Sequence, residues 1–225
     1  ESLCGLATVT PGIRERRYVA DGEATSDMAV IAGKRALESA GLKPEDLDLI
    51  VVGTVTPDQM IPACSAIIQH RLGAKNAAAF DCNSACTGFI TALSIAEAYV
   101  ASGRARRVLA IGAETLSRIS DMQDRTSCIL FGDAAGAVIL APHEDCEQGE
   151  ILKTRQGADG SGYDLIYMLA GGSRKPASLE TVQAREHFIR GLDDPRIHLV
   201  GALRLDHRHQ FLDDVHVGGF EEFLV

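Results

Sequence analysis

The sequence predicts an α/β fold with a largely parallel central sheet. Two observations carry that expectation. Short continuous apolar runs, such as Leu49-Ile-Val-Val-Gly53 and Val108-Leu-Ala-Ile-Gly112, have the form of strands buried on both faces. They alternate with longer segments whose apolar residues recur at helical spacing, the pattern of crossover connections between parallel strands.

Taken in order, Thr25 to Ala40 reads as a helix. Ser26 or Thr25 supplies a cap, and Met28, Ile31, Ala32 and Ala36 recur on one face. Gly41 ends it, with Pro44 reinforcing the break. Leu49 to Gly53 follows as a strand, Ala63 to Leu72 as a helix and Ala77 to Asp81 as a second short strand. Thr87 to Ser102 carries Phe89, Ile90, Leu93, Ile95, Ala96, Tyr99 and Val100, a stripe broad enough for a largely buried helix. Val108 to Gly112 and Ala137 to Ala141 complete the set of strands. From about Gly191 the texture changes: His198, His207, His209 and His216 gather there, and the apolar residues keep no period.

Composition excludes several classes of function. Apolar residues make up 46% and charged residues 24% of 225 residues, an ordinary globular balance with enough chain to bury a core. A net charge of −9 offers no basic stripe to phosphates, so no nucleic-acid partner is expected. No stretch has the apolar length of a membrane span, and the N-terminus lacks a basic-then-apolar leader pattern. Six cysteines (Cys4, Cys64, Cys82, Cys86, Cys128, Cys146) include no CxxC pair, which argues against a zinc site and for reduced thiols in a cytoplasmic protein. His207 and His209, beside Asp206, read as surface residues without a convincing ligand set, and no metal is expected.

The segment richest in chemistry is Phe80-Asp-Cys-Asn-Ser-Ala-Cys-Thr-Gly-Phe89. A strand runs into a tight turn, and Cys86 arrives where a long apolar helix begins. The positive end of a helix dipole stabilises thiolate, the reactive form of cysteine. Unpaired N–H groups at that end suit the oxyanion formed when a thiolate attacks a thioester, and Gly88 leaves room for a substrate. Cys82 competes for the role but sits nearer the strand end, and a small core residue is the plainer alternative for Cys86.

Around these residues the chain resembles the β-ketoacyl-acyl-carrier-protein synthase III family. The matching stretches are Gly12-Ile-Arg-Glu-Arg16, Ala78-Ala-Phe-Asp81, Ala85-Cys-Thr-Gly-Phe89, Ile111-Gly-Ala-Glu114, Asp124-Arg125 and Phe131-Gly-Asp-Ala-Ala-Gly136. Ala158-Asp-Gly-Ser-Gly-Tyr163, Gly171-Gly-Ser-Arg-Lys-Pro176 and Ala184-Arg-Glu-His187 extend the match, which is continuous from Gly12 to about Ile189. The resemblance implies a thiolase-like fold of two similar halves, of which the N-terminal half is largely present and the C-terminal half missing or replaced. The implied organisation is a synthase region over 12–190 and a divergent tail over 191–225.

The same resemblance implies an acyltransferase that starts fatty-acid synthesis. Cys86 takes an acetyl or short acyl group from acyl-coenzyme A, and malonyl-acyl-carrier protein supplies the attacking carbanion by decarboxylation. Coenzyme A thioester is a substrate here; no cofactor is implied. Arg125 corresponds to a contact for the nucleotide end of coenzyme A. Leu116 and Phe131 correspond to acyl-pocket positions, and Ile61 to a residue that a homodimer partner contributes to the pocket floor. Without the resemblance, Arg125 reads as a solvated charge, Leu116 and Phe131 as core, and Ile61 as core or interface. Gly132-Asp-Ala-Ala-Gly136 reads as tight packing rather than a phosphate loop.

Two departures stand out. Leu6 and Thr10 lie where family members carry a tryptophan and an arginine. The family's Pro-His-Gln-Ala-Asn and Gly-Asn-Thr-Ser motifs, whose histidine and asparagine hold the thioester carbonyl during condensation, do not occur in this sequence. The expectation is a truncated or frame-disrupted synthase whose residues after about Gly191 are not family sequence. A polyketide-priming acyl-coenzyme A condensing enzyme and a noncatalytic half-fold that binds a partner are the competing expectations.

Overall fold

The computed structural model of the protein describes residues 15–125, 127–145, 149–194 and 196. Leu6, Thr10, Cys4, Cys146, the four tail histidines and nearly all of the 191–225 tail lie outside the described residues, as do Gly12 to Arg14. The chain divides into two compact bodies. One comprises the described parts of Val19–Thr115 and Asp133–Thr154, and the other those of Glu1–Tyr18, Leu116–Gly132 and Arg155–His216.

The first body is the α/β unit. Helix α1 (Thr25–Ala40) has the bounds that the periodicity predicts, but its buried stripe is Ala29, Val30, Ala32, Gly33 and Leu37, and Ile31 faces outward. Neither Thr25 nor Ser26 is the N-cap. Ala24 holds that position, and its N–H donates to the Asp27 carboxylate at 2.8 Å. Asp58, distant in sequence, accepts both the Ser26 N–H (2.8 Å) and the Ser26 hydroxyl (2.7 Å), so a borrowed carboxylate meets the exposed N–H groups of the first turn. Gly41 ends the helix at φ 64, in the left-handed conformation that glycine adopts without steric cost.

Strand β1 (Leu49–Gly53) is buried along its whole length. Helix α2 (Cys64–Leu72) follows, capped from outside: the Asp81 carboxylate accepts the N–H groups of Cys64 (2.7 Å) and Ser65 (2.8 Å). Strand β2 (Ala78–Cys82) leads through a 3-10 turn into helix α3 (Gly88–Ala101), and strands β3 (Val108–Thr115) and β4 (Asp133–Leu140) close the sheet.

The sheet order is β2-β1-β3-β4. β1 pairs in parallel with β2 and β3, but β4 runs antiparallel to β3, pairing Gly112 with Gly136. The sheet is therefore largely parallel, as expected, and mixed at the β4 edge. Alternate β1 and β3 side chains face opposite layers. Ile50, Val52, Leu109 and Ile111 pack with residues of α1 and α2, while Leu49, Val51, Val108 and Ala110 pack with α3. Helix α3 is less buried than its composition suggests. Only Gly88, Ala92 and Ala96, one i, i+4, i+8 row of small residues, are buried against the sheet, and Ile90 on its flank is exposed.

The second body is mostly irregular. Strands β5 (Tyr167–Met168) and β6 (Ile189–Arg190) pair antiparallel, and between them lies a short helix, α4 (Leu179–Gln183). Ser178 caps α4 by accepting the Thr181 N–H at 3.2 Å. None of these three elements is predicted from the sequence, because each is too short to establish a period.

Candidate functional site

The parallel strands β1, β2 and β3 end on the same side of the sheet, with Gly53, Cys82 and Gly112 in register. Open α/β sheets bind ligands at that carboxyl edge. Residues 83–87 leave β2 there and reach α3 through a turn held by its own polar groups. Thr87 donates its N–H (3.1 Å) and its hydroxyl (2.8 Å) to the Ser84 carbonyl, and the Gly88 N–H donates to Ala85. Ala85 takes φ 44, a left-handed conformation that a side-chain-bearing residue holds only where its surroundings enforce it. Cys86 is the next residue, exposed, two positions ahead of α3. Thr87 and Gly88 thus direct their N–H groups into the turn that carries Cys86.

The other described thiols are placed differently. Cys64 is fully buried, and desolvation pushes its thiol up to about 12, with Asp58 and Asp81 adding to the rise. Cys82 is half-buried at the strand end with its sulfur 3.9 Å from the Gly88 carbonyl; desolvation, then the Asp81 charge, raises its thiol above the ordinary value. Cys128 is buried as well. Among the described cysteines, Cys86 is the exposed one. The plain core alternative for Cys86 does not fit that placement.

Two glycines fix where α3 begins. A Cβ on Gly53 would collide with the Gly88 carbonyl and lie 3.0 Å from the Phe89 nitrogen, and a Cβ on Gly112 would lie 2.8 Å from Phe89 Cβ. The close approach credited to Gly88 is thus used by the sheet: the backbone facing Gly88 is Gly53, not a substrate. Within the Phe131–Gly136 stretch, tight packing holds at Gly132, where a Cβ would meet the Arg17 carbonyl at 3.2 Å. At Gly136 it does not, since nothing lies within 4 Å.

Beyond Gly112, β3 carries Glu114, a half-buried carboxylate that ties β3 to the segment after β1. It accepts the Val55 N–H (2.8 Å) and the hydroxyls of Thr56 (2.5 Å) and Thr54 (3.4 Å). Desolvation raises its pKa against the opposing pull of these hydrogen bonds. The Thr54 N–H in turn donates to the Cys82 carbonyl at 3.1 Å, so a continuous series of bonds runs from β3 to the end of the strand that precedes Cys86.

Ile61 belongs to the same body and is 86% exposed beside Met60, so it is neither core nor covered within the chain. Leu116 and Phe131 are half-buried and Arg125 is exposed, all three in the second body. Asp58, Asp81, Asp121 and Arg185 carry structural roles that sequence reasoning missed. Asp81 and Arg185 lie within the family-like stretches, whereas Asp58 and Asp121 have no local pattern to mark them. Among the described residues no group of three His, Cys, Asp or Glu side chains gathers to hold a metal, and no helix is long and apolar enough to cross a membrane.

Comparison with known proteins bears on this arrangement. The 3-oxoacyl-[acyl-carrier-protein (ACP)] synthase III family profile matches residues 80–160, the span that holds the Cys86 turn, β3 and β4. The β-ketoacyl-[acyl-carrier-protein] synthase III of Caldanaerobacter subterraneus subsp. tengcongensis is 53% identical over 182 residues, which is 81% of this chain and 54% of that protein. The crystal structure of 3-oxoacyl-[acyl-carrier-protein] synthase III from Aquifex aeolicus superposes with a TM-score of 0.70 at 40% identity, covering 84% of this chain and 56% of that one. The priming β-ketosynthase of the R1128 polyketide pathway superposes at 0.73 and 36% identity, covering 87% and 57%. The chain thus spans about half the length of the curated relatives it matches. Over the part it spans, with a thiolase-like α/β fold, the chain belongs to the β-ketoacyl-acyl-carrier-protein synthase III family.

Proposed function

We propose that Cys86 is the nucleophile of an acyl-transfer reaction that starts fatty-acid synthesis. The observation that carries this reading is its placement: an exposed thiol on a constrained turn, just ahead of an apolar helix and at the carboxyl edge of parallel strands. The Cys86 thiolate attacks the carbonyl carbon of an acyl-coenzyme A, the tetrahedral oxyanion collapses, and coenzyme A leaves as a thiolate that takes up a proton. Malonyl-acyl-carrier protein is the second substrate. Loss of carbon dioxide leaves a carbanion that attacks the acyl-cysteine, forming the 3-ketoacyl product and freeing the Cys86 thiolate.

The two steps separate in this chain. Its sequence contains neither the histidine motif nor the asparagine motif that supports condensation in the family, and the loss of one oxyanion donor costs about 10²–10³-fold in rate. Acylation without appreciable 3-ketoacyl product is the expected behaviour of the chain alone. Incubation with acetyl-coenzyme A and malonyl-acyl-carrier protein tests this: acetylated Cys86 with no 3-ketoacyl product supports it, and robust product formation refutes it.

Leu116 and Phe131 keep their acyl-pocket roles and Arg125 its nucleotide contact in this proposal, on the strength of the family match. So does the division into a synthase region over 12–190 and a divergent tail over 191–225. Ile61, exposed on its loop, suits contribution to a second copy, and β2, at a sheet edge, offers unpaired backbone groups for a homodimer. Sedimentation as a clean monomer at high concentration counts against that assembly. A cytoplasmic setting fits the unpaired thiols among the described cysteines. Similarity to a polyketide-priming synthase supports a second reading, an acyl-coenzyme A condensing enzyme that primes polyketide synthesis. Acylation rates across donors of rising chain length separate the two.

A further inference from the structure

We propose that Arg185 is a positioning residue for coenzyme A, acting through Asp121 on the turn that presents Arg125 to the ligand's nucleotide end. This rests on the reading of Arg125 given above. All three residues lie in the second body.

The geometry runs outward from one ion pair. Arg185 donates Nε to Asp121 Oδ2 at 2.8 Å and Nη2 to Asp121 Oδ1, a two-point grip that fixes orientation as well as charge. The Asp121 side chain is only 8% exposed. Its Oδ1 also accepts the Gln123 N–H at 2.9 Å, and its main-chain carbonyl accepts the Asp124 N–H at 2.9 Å. The Asp124 carbonyl accepts the Cys128 N–H at 3.0 Å, and fully buried Ser127 directs its hydroxyl to the carbonyls of Asp121 and Asp124. Asp121 thus anchors the turn that leads to Arg125, and Arg125 is exposed. The Arg125 guanidinium makes no hydrogen bond or ion pair among the described residues, which leaves its donors available to an anion.

Arg185 is held firmly at its own end. It takes φ 58, a conformation seldom adopted by a residue with a side chain, and its guanidinium lies 5.0 Å from the Phe188 ring centroid. The hydrogen bonds from Arg185 hold the Asp121 carboxyl down to about 2, so the pair stays ionic across the pH range in which thioesters are handled. Removing Arg185 has two consequences for an anionic ligand. The turn loses its anchor, and a largely buried carboxylate four residues before Arg125 loses the cation that offsets it.

Affinity for coenzyme A, compared with pantetheine, which lacks the nucleotide, tests the proposal on the full chain. Arg125→Ala and Arg185→Met are each expected to lower the ratio of the two affinities by roughly tenfold, the loss of one charge-assisted contact. The double variant is expected to lose little more than either single one, because the two residues act through one contact. Arg185→Lys, which keeps the charge but not the two-point grip, is expected to fall between. Asp121→Asn, similar in shape, gives the same pattern should Arg185→Met fail to fold. Equal weakening of both ligands by Arg185→Met, or an unchanged ratio, overturns the positioning role. An unchanged ratio in Arg125→Ala, or no binding of coenzyme A by the unsubstituted chain, removes the underlying reading instead.

Discussion

Substituting Gly112 by alanine tests whether the sheet fixes the position of the nucleophile. The added Cβ would lie 2.8 Å from Phe89 Cβ, where ordinary contact begins at 3.4 Å. Phe89 Cβ is bonded directly to the backbone of the first turn of α3, so a rotamer change cannot relieve the clash. The helix start must retreat by at least the difference, roughly 0.6 Å, and by about 1 Å for comfortable packing. Overpacking of this kind costs about 1–3 kcal/mol, or a melting temperature lower by roughly 2–12 °C. A displacement near 1 Å at a reacting group costs about 100-fold in rate. Cys86 precedes Phe89 by three residues in the same continuous turn, so its acylation by acetyl-coenzyme A should fall far more than folding does. Gly136→Ala is the matched control: Gly136 pairs with Gly112 across the ladder, yet a Cβ there meets nothing within 4 Å. Equal acylation rates for the Gly112→Ala and Gly136→Ala proteins would refute the argument that the sheet positions this turn.

Further expectations concern stability and reactivity. Asp81→Ala leaves the N–H groups of Cys64 and Ser65 uncapped and should cost about 1–2 kcal/mol, read as a lower denaturant midpoint at unchanged slope. The Cys64 thiol is neutral in folded and unfolded chains below its ordinary value near 9, but between there and about 12 only the unfolded chain ionises. Stability should therefore drop as pH rises through that window, and Cys64→Ala should flatten the drop; a wild-type slope in the variant contradicts it. The Arg185 and Asp121 variants described above test the second body independently of either.

The regular elements of the first body were readable in the sequence because local periodicity encodes them. The helix from Thr25 to Ala40 and the strand from Leu49 to Gly53 have the predicted bounds, and Cys86 lies on the predicted strand-turn-helix. What the sequence hid is set by partners far along the chain. The antiparallel direction of β4 depends on register with β3, and nothing in Ala137–Ala141 itself specifies it. The first-turn N–H groups of α1 and α2 are met by Asp58 and Asp81, each outside the helix it serves, so local cap rules, which offered Ser26 or Thr25, missed them. Glycine roles were misassigned for the same reason: Gly53, the last residue of an apolar strand, makes the close approach credited to Gly88. The exposure of α3 was unreadable because its composition is largely apolar, while only Gly88, Ala92 and Ala96 are buried.

The central claim is that Cys86 accepts an acyl group, and intact-protein and peptide mass spectrometry after incubation with acetyl-coenzyme A tests it most directly. The account predicts a single acetyl adduct on the peptide holding Cys86, released by hydroxylamine as a thioester should be, and absent in Cys86→Ala. Labelling of Cys64, Cys82 or Cys128 in its place, or an adduct that survives in Cys86→Ala, would contradict it.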